Sequence, residues 1–202
     1  LTASRLALRI RGELGLAVAV RDLFEFPSPA SLAAEAREAE TGEGGGRAAP
    51  VLRPRVRPPE VPLAPAQQRL WFVNRLDPSA GTYNIPVALR VRGDLDPDAL
   101  FGAVHDLVDR HEPLRTVHPW GTDGPVQDVH PADARVDAAT VRCTEDTLPR
   151  LLANESSRGF DLTTEAPLRV RLFRLTEDEA VLLLVVHHIA ADGWSLAPLG
   201  RD

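Results

Sequence analysis

Val185-Val186-His187-His188-Ile189-Ala190-Ala191-Asp192-Gly193-Trp194-Ser195 begins inside the uniformly apolar run Ala180 to Val186. An apolar run without alternation predicts a strand buried on both faces, so helices or loops must cover both sides of its sheet. Two histidines end the run. Consecutive strand residues point to opposite faces, so only one of His187 and His188 can face a given cavity. Asp192 and Gly193 then turn the chain into a helical pattern that starts at Trp194, where Asp192 either caps the helix or is held by an arginine. An imidazole titrates near neutrality, and one held at a strand mouth is suited to accept a proton from an attacking amine and pass it to a leaving thiol. The same spacing equally suits a hydrogen-bonded pair of histidines with no chemistry.

Outward from this stretch, helical and strand patterns alternate. Leu168 to Leu175 alternates apolar residues with Arg, and Glu145 to Ser157 has helical spacing. Val136 to Arg142, Val126 to His130 and Leu114 to His118 read as short strands. Asp96 and Pro97 supply the cap and first position of a helix carried by Leu100, Val104, Leu107 and Val108. Asn84 to Arg92 alternates like a half-buried strand, and Pro65 to Leu76 is helical. The expected class is α+β, with a mixed sheet packed by helices over residues 63–202.

Residues 41–62 change character. Gly44 to Gly46 are followed by Pro50, Pro54, Pro58, Pro59 and Pro62, interleaved with Arg. That composition predicts a linker with a flexible glycine part and a semi-rigid proline part. Residues 1–40 read as three short helical elements: Ala3 to Leu14 ending at Gly15, a turn from Asp22 to Phe26, and Ala30 to about Glu40 behind the cap pair Ser28 and Pro29. A segment this small buries too little surface to be stable alone, so it is expected to be completed from upstream. Methionine is absent and Leu1 already stands in a helical pattern, so the chain is expected to be a piece of a longer protein.

Composition narrows the function classes. The net charge is -6, 26% of residues are charged and 44% are hydrophobic. Every basic residue is Arg, but the arginines are scattered among acids, which leaves no footprint for nucleic acid. No apolar run is long enough for a membrane span or a secretory signal, and a cytoplasmic location is expected. Cys143 stands alone, excluding an internal disulfide and a thiolate metal site. His111-Glu112-Pro113-Leu114-Arg115 begins like a zinc-protease helix, but Arg115 replaces the second His and Pro113 breaks the helix; no metal is expected. Gly193-Trp194-Ser195-Leu196-Ala197 lacks the final Gly of a nucleophile elbow, so Ser195 is expected to cap or pack the helix start.

The run His187-His188-x-x-x-Asp192-Gly193 resembles the signature of condensation domains of nonribosomal peptide synthetases, within the chloramphenicol acetyltransferase-like superfamily. Leu63-Ala64-Pro65-Ala66-Gln67-Gln68-Arg69-Leu70-Trp71-Phe72 is similar to the first condensation motif. Arg110-His111-Glu112-Pro113-Leu114-Arg115-Thr116 is similar to the second, with a structural role at the lobe core. Tyr83-Asn84-Ile85-Pro86 and Phe160-Asp161-Leu162 sit where the family has such residues. Residues 1–40 resemble the C-terminal part of a peptidyl carrier domain. Three motifs in register behind a carrier-like segment are more specific than the histidine run alone.

The resemblance implies an all-helical carrier remnant, a linker, and the N-terminal lobe of a two-lobed, V-shaped condensation domain. It implies amide formation between an acyl or peptidyl thioester on an upstream donor carrier and the amine of an aminoacyl thioester on a downstream acceptor carrier. His188 is then the catalytic residue, either as base or as positioning group. His187 and Asp192 are structural, with an arginine of the other lobe holding Asp192, and Gly193 lets substrate approach the backbone. Partners are the two carriers and an adenylation domain. The cofactor is 4'-phosphopantetheine, on a serine expected directly before Leu1. Leu1, Arg5 and the Asp22 to Phe26 turn resemble a carrier's partner-contact surface. Intact His187 and His188 argue against cyclising relatives, which carry aspartate there. An epimerisation domain and a non-catalytic docking or recruitment domain of the same fold are the alternatives. The isolated chain is expected to lack amide-forming activity.

Overall fold

A computed structural model describes residues 2–16, 18–41, 56–132 and 136–202, which fall into two units, Leu1–Arg55 and Val56–Asp202. The Gly/Pro stretch 42–55, and with it most of the expected linker, lies outside the described residues, as does Leu1.

The first unit is helical. Helix α1 (Thr2–Leu14) ends where Gly15 enters the left-handed region at φ 71°, a conformation that suits a residue without Cβ. After the short helix α2 (Asp22–Glu25) comes α3 (Pro29–Thr41). Ser28 caps α3, its Oγ accepting from the Ser31 N–H at 3.2 Å. Ala7, Val18 and Ala36 are buried, whereas Leu6, Leu14 and Phe24 are exposed. Leu6, Ile10, Leu14, Leu23, Phe26 and Leu32 line an apolar cavity of about 360 Å³.

The second unit is built on a four-stranded sheet ordered β2-β7-β6-β5, made of β2 (Asn84–Arg92), β5 (Asp137–Arg142), β6 (Leu168–Arg174) and β7 (Glu179–His187). β7 pairs antiparallel with both β2 and β6, and β5 pairs parallel with β6. The uniformly apolar strand is therefore central. One face packs Phe173, Val181, Leu183 and Val185 under Trp71 of α4 (Pro65–Leu76) and Leu148 of α6 (Leu148–Ser157). The other face packs Val170, Leu172, Leu182 and Val186 against Val104 and Val108 of α5 (Pro97–Arg110). The period-2 split of β7 between two apolar layers is the expected reading of an unalternating strand. Asp96 caps α5, its Oδ1 accepting from the Asp98 N–H at 2.9 Å and the Ala99 N–H at 3.2 Å.

A second, small antiparallel sheet is ordered β1-β4-β3: β1 (Val61–Pro62), β3 (Thr116–Val117) and β4 (Val126–Val129). The last residues of the Pro-rich stretch thus belong to this sheet. The strand expected from Leu114 shortens to Thr116–Val117 because Pro113 starts a 3₁₀ turn, Glu112–Arg115. The chain finishes in α7 (Leu196–Arg201).

In β6 the structure departs from the pattern. Alternation of apolar residues with Arg predicts one wet face, yet Arg169 is 1% and Arg171 8% exposed. Arg169 lies over the Phe160 ring, 4.2 Å from its centroid. It donates to the carbonyls of Glu155, Arg158 and Gly159 at 3.2, 3.1 and 2.9 Å. These carbonyls sit at the C-terminal end of α6, where backbone acceptors lack helical partners and a cation is favoured. Arg171 grips the Asp137 carboxylate at 2.9 and 3.1 Å. Burial by itself raises the Asp137 pKa, but Arg171 and Arg158 outweigh it and hold the carboxyl below its usual range.

Candidate active site

His187 closes β7 opposite Asn84 of β2, on the same face as Val185 and Leu183. Its ring lies in the interior, where it is 2% exposed. Phe160 meets it edge-on at 6.1 Å and Tyr83 lies at 6.4 Å. The Ile189 N–H donates to His187 Nδ1 at 3.1 Å. A backbone N–H only donates, so Nδ1 is the unprotonated nitrogen and the neutral ring carries its proton on Nε2. Burial, with smaller contributions from His118 and His188, lowers the His187 pKa to about 4.

His188 is exposed, and the backbone around it is hydrogen-bonded. Its N–H donates to the Tyr83 carbonyl at 2.8 Å, and the Ala190 N–H closes onto the His187 carbonyl at 3.0 Å. Ile189, 5% exposed, anchors the turn in the Trp71 layer. Its carbonyl accepts from Gln67 Nε2 at 3.3 Å. The adjacent histidines therefore separate into one buried ring that organises the turn and one ring at the surface.

Asp192 closes the turn ahead of α7. Its Oδ1 accepts from the N–H groups of Trp194 and Ser195, both at 3.0 Å, and from Ser195 Oγ at 2.8 Å. These bonds, those from Ser195 first, hold its carboxyl below the usual range. These bonds stay within the turn from Asp192 to Ser195; the N-cap residue of α7 is Ser195, whose side chain makes no capping bond to the helix. Ser195 is bonded to that carboxylate and accepts from the Asp192 N–H at 3.2 Å; it has the helix-start role that its flanking sequence predicts. Gly193 is exposed, and a Cβ added there would meet nothing within 4 Å. Its lack of a side chain is not demanded by packing among the described residues. Below the turn, His111, Leu114, Ala190, Ala191, Ser195 and Leu199 line a cavity of about 230 Å³.

The motifs meet around β7. Gln67, Trp71 and Asn74 lie on one stripe of α4: Trp71 Nε1 donates to the His118 carbonyl at 2.7 Å, and Asn74 Nδ2 to the Phe160 carbonyl at 2.9 Å. Asn84 Nδ2 donates to the Ser156 and Arg158 carbonyls, both at 2.9 Å. In the second motif, Arg115 donates to the carbonyls of Val108 and His130, and Thr116 Oγ1 to Glu112 O at 2.7 Å. Those bonds are structural. Cys143 sits where β5 and β6 finish, its N–H bonded to Arg174 O. By the register of β6 on β7 this is the opposite end of the sheet from His187, which removes a Cys–His pair. Burial and Glu145 push its thiol up.

Sequence reading missed His118, which is 1% exposed with neither ring nitrogen partnered among the described residues. Burial lowers its pKa to about 4. Its only sequence signal is its place at the end of the short strand expected from Leu114 to His118. The Gln67 bridge had a clearer one, since Gln67, Trp71 and Asn74 share helical spacing with polar groups on a face that should be apolar. Among the described residues no group of three His, Cys, Asp or Glu is placed to hold a metal, and no helix is long and apolar enough to cross a membrane.

Comparison with known proteins agrees with this arrangement. The condensation-domain family model matches residues 59–202, and the phosphopantetheine attachment site model matches residues 1–36. A probable nonribosomal peptide synthetase of Salinispora arenicola, CymA, is 44% identical over 202 residues, covering 100% of this chain and 2% of that protein. A dimodular nonribosomal peptide synthase of Bacillus subtilis is 43% identical over 203 residues, covering 100% of this chain and 8% of that protein. The chain thus spans a small fraction of these relatives. Among solved structures, the X-domain from teicoplanin biosynthesis is 42% identical with a TM-score of 0.70, over 76% of this chain and 33% of that one. The same domain has been solved in complex with OxyB, at 41% identity, TM-score 0.71 and the same coverage.

Proposed function

We propose that this chain, which belongs to the condensation-domain family of nonribosomal peptide synthetases, supplies the His188-bearing lobe that joins a donor-carrier thioester to the amine on an acceptor carrier. The observation that carries this reading is the placement of His188. That residue is exposed just past the end of a largely buried strand, and the backbone on both sides of it is hydrogen-bonded.

The chemistry needs placement more than activation. The amine nitrogen attacks the thioester carbonyl, the C–N bond forms as the C–S bond breaks, and the proton lost by nitrogen ends on the departing thiol. His188 Nε2 or Nδ1 takes or orients that proton at the attacking amine. Two tethered carriers make the encounter effectively intramolecular. His187, Asp192 and the Tyr83 carbonyl hold the turn. The thioesters ride on phosphopantetheine arms of the carriers. Ser28 and Ser31 of the helical unit are bonded to each other at 2.8 Å and Ser4 lies within α1; no step is assigned to that unit.

In the complete synthetase with both carriers loaded, His188→Ala is expected to lower amide formation by roughly 10²- to 10⁴-fold, read as carrier-bound product by mass spectrometry. Product formed at the parental rate would instead support recruitment. That second reading is favoured by the 42% identity to the X-domain from teicoplanin biosynthesis, a domain solved with OxyB. A product of unchanged length with inverted configuration would indicate epimerisation.

A further inference from the structure

We infer that Gln67 is a positioning residue for His188, clamping the signature turn from α4 through the Ile189 carbonyl; the inference rests on the catalytic reading of His188. Both ends of the Gln67 amide are committed. Its Oε1 accepts from the Ala64 N–H at 3.0 Å, and its Nε2 donates to Ile189 O at 3.3 Å. One partner can only donate and the other only accept, so the orientation of the amide is dictated by its surroundings.

The consequence follows from what else holds the turn. The His188 N–H is bonded to Tyr83 O, and the Ile189 N–H to the His187 ring. Gln67 holds the next group, the Ile189 carbonyl. Three backbone polar groups of His188 and Ile189 are thereby fixed, by Tyr83 just before β2, by the His187 ring at the end of β7 and by Gln67 of α4. With the Ile189 side chain buried, the peptide after Ile189 is held at both ends, its carbonyl by Gln67 and its Ala190 N–H by the His187 carbonyl, and Gln67 opposes its rotation from the α4 side. The His188 ring follows the turn that carries it, and Gln67 limits that turn from its Ile189 end. Gln67 does not touch the reacting atoms. It acts through the turn.

The bifunctional amide permits a test in the complete synthetase. Gln67→Glu keeps the acceptor for Ala64 and loses the donor to Ile189. Gln67→Lys keeps a donor and loses the acceptor. Gln67→Met loses both without adding charge. Positioning predicts that Gln67→Glu and Gln67→Met lower kcat by roughly tenfold to a hundredfold with KM little changed, and that Gln67→Lys recovers most of the loss. Hydrogen exchange in peptides spanning His187 to Ala190 should quicken in the first and third variants and less in the second. A role confined to capping α4 predicts the reverse order, with Gln67→Glu retaining the rate, and would overturn the inference. Equal losses in all three that track the melting midpoint would overturn it as well. His188→Ala in the same assay separates the two levels: if it leaves amide formation intact, the catalytic reading fails, while the exchange data still decide the clamp.

Discussion

His118 and His187 are imidazoles that the fold keeps uncharged. Burial disfavours the protonated form, and each pKa is lowered from 6.5 to about 4. The effect on stability has a definite sign. Above pH 6.5 both rings are neutral folded or unfolded, and neither contributes to the pH dependence. As pH falls below 6.5 the unfolded chain takes up protons that the folded chain refuses, so stability falls until about pH 4, where the folded rings also protonate. Urea midpoints are expected to be level from pH 8 to 7 and to drop toward pH 5. His118→Phe should reduce that slope and raise the midpoint at pH 5. His118 makes no side-chain hydrogen bond that a Phe would lose, and filling the site with an apolar ring removes a desolvation cost of about 1–3 kcal/mol. A midpoint in His118→Phe that falls as steeply as the parent would show that the ring is solvated. The Trp71 indole, bonded to the His118 carbonyl, offers a fluorescence reporter.

Arg169 links two elements, tying the C-terminal end of α6 to β6. Replacing it with Met keeps an unbranched stem but removes the three carbonyl bonds and the stacked cation, and leaves Glu155 beside unsatisfied acceptors. The expected loss is on the order of 3 kcal/mol, read from the denaturant midpoint. The segment after α6 is also pinned by close backbone approach. Ala80 and Arg158 form an isolated bridge, and a Cβ on Gly159 would collide with the Pro78 carbonyl and the Ser79 backbone. Gly159→Ala is therefore expected to cost about 1–3 kcal/mol, while Gly193→Ala, with open space around its Cβ, should change stability little. Similar midpoints for the two alanine variants would contradict the packing around Gly159.

The two units differ in how much they bury. Ala7, Val18 and Ala36 are the buried apolar residues described in Leu1–Arg55, whereas Val56–Asp202 buries two clusters on the two faces of β6 and β7. Opening free energies follow buried contact. Amides of α1 and α3 are expected to exchange at rates set by local opening, and those of β6 and β7 at the rate of global unfolding of their unit. Equal protection across both would mean that the helical unit is stabilised by contacts other than those it makes internally. The central sheet joins β2 to β7 across a long sequence separation, as in Asn84 against His187, so its assembly is expected to be slow relative to helix formation.

Periodicity and caps are local physics, and they were legible in the chain: Pro65–Leu76, Asn84–Arg92 and the Asp96 cap stand as their residues predict. The motif order named the family, and strand alternation already required that the two histidines part. Which of them lies inside was not decided by alternation, because both faces of β7 are covered; only the stacking of Phe160 and the bond from Ile189 assign that place to His187. Arg169 and His118 were illegible for a related reason. Their surroundings are backbone carbonyls or packing contributed by other elements, and a hydrogen bond to a carbonyl leaves no trace in the identity of the residue that supplies it.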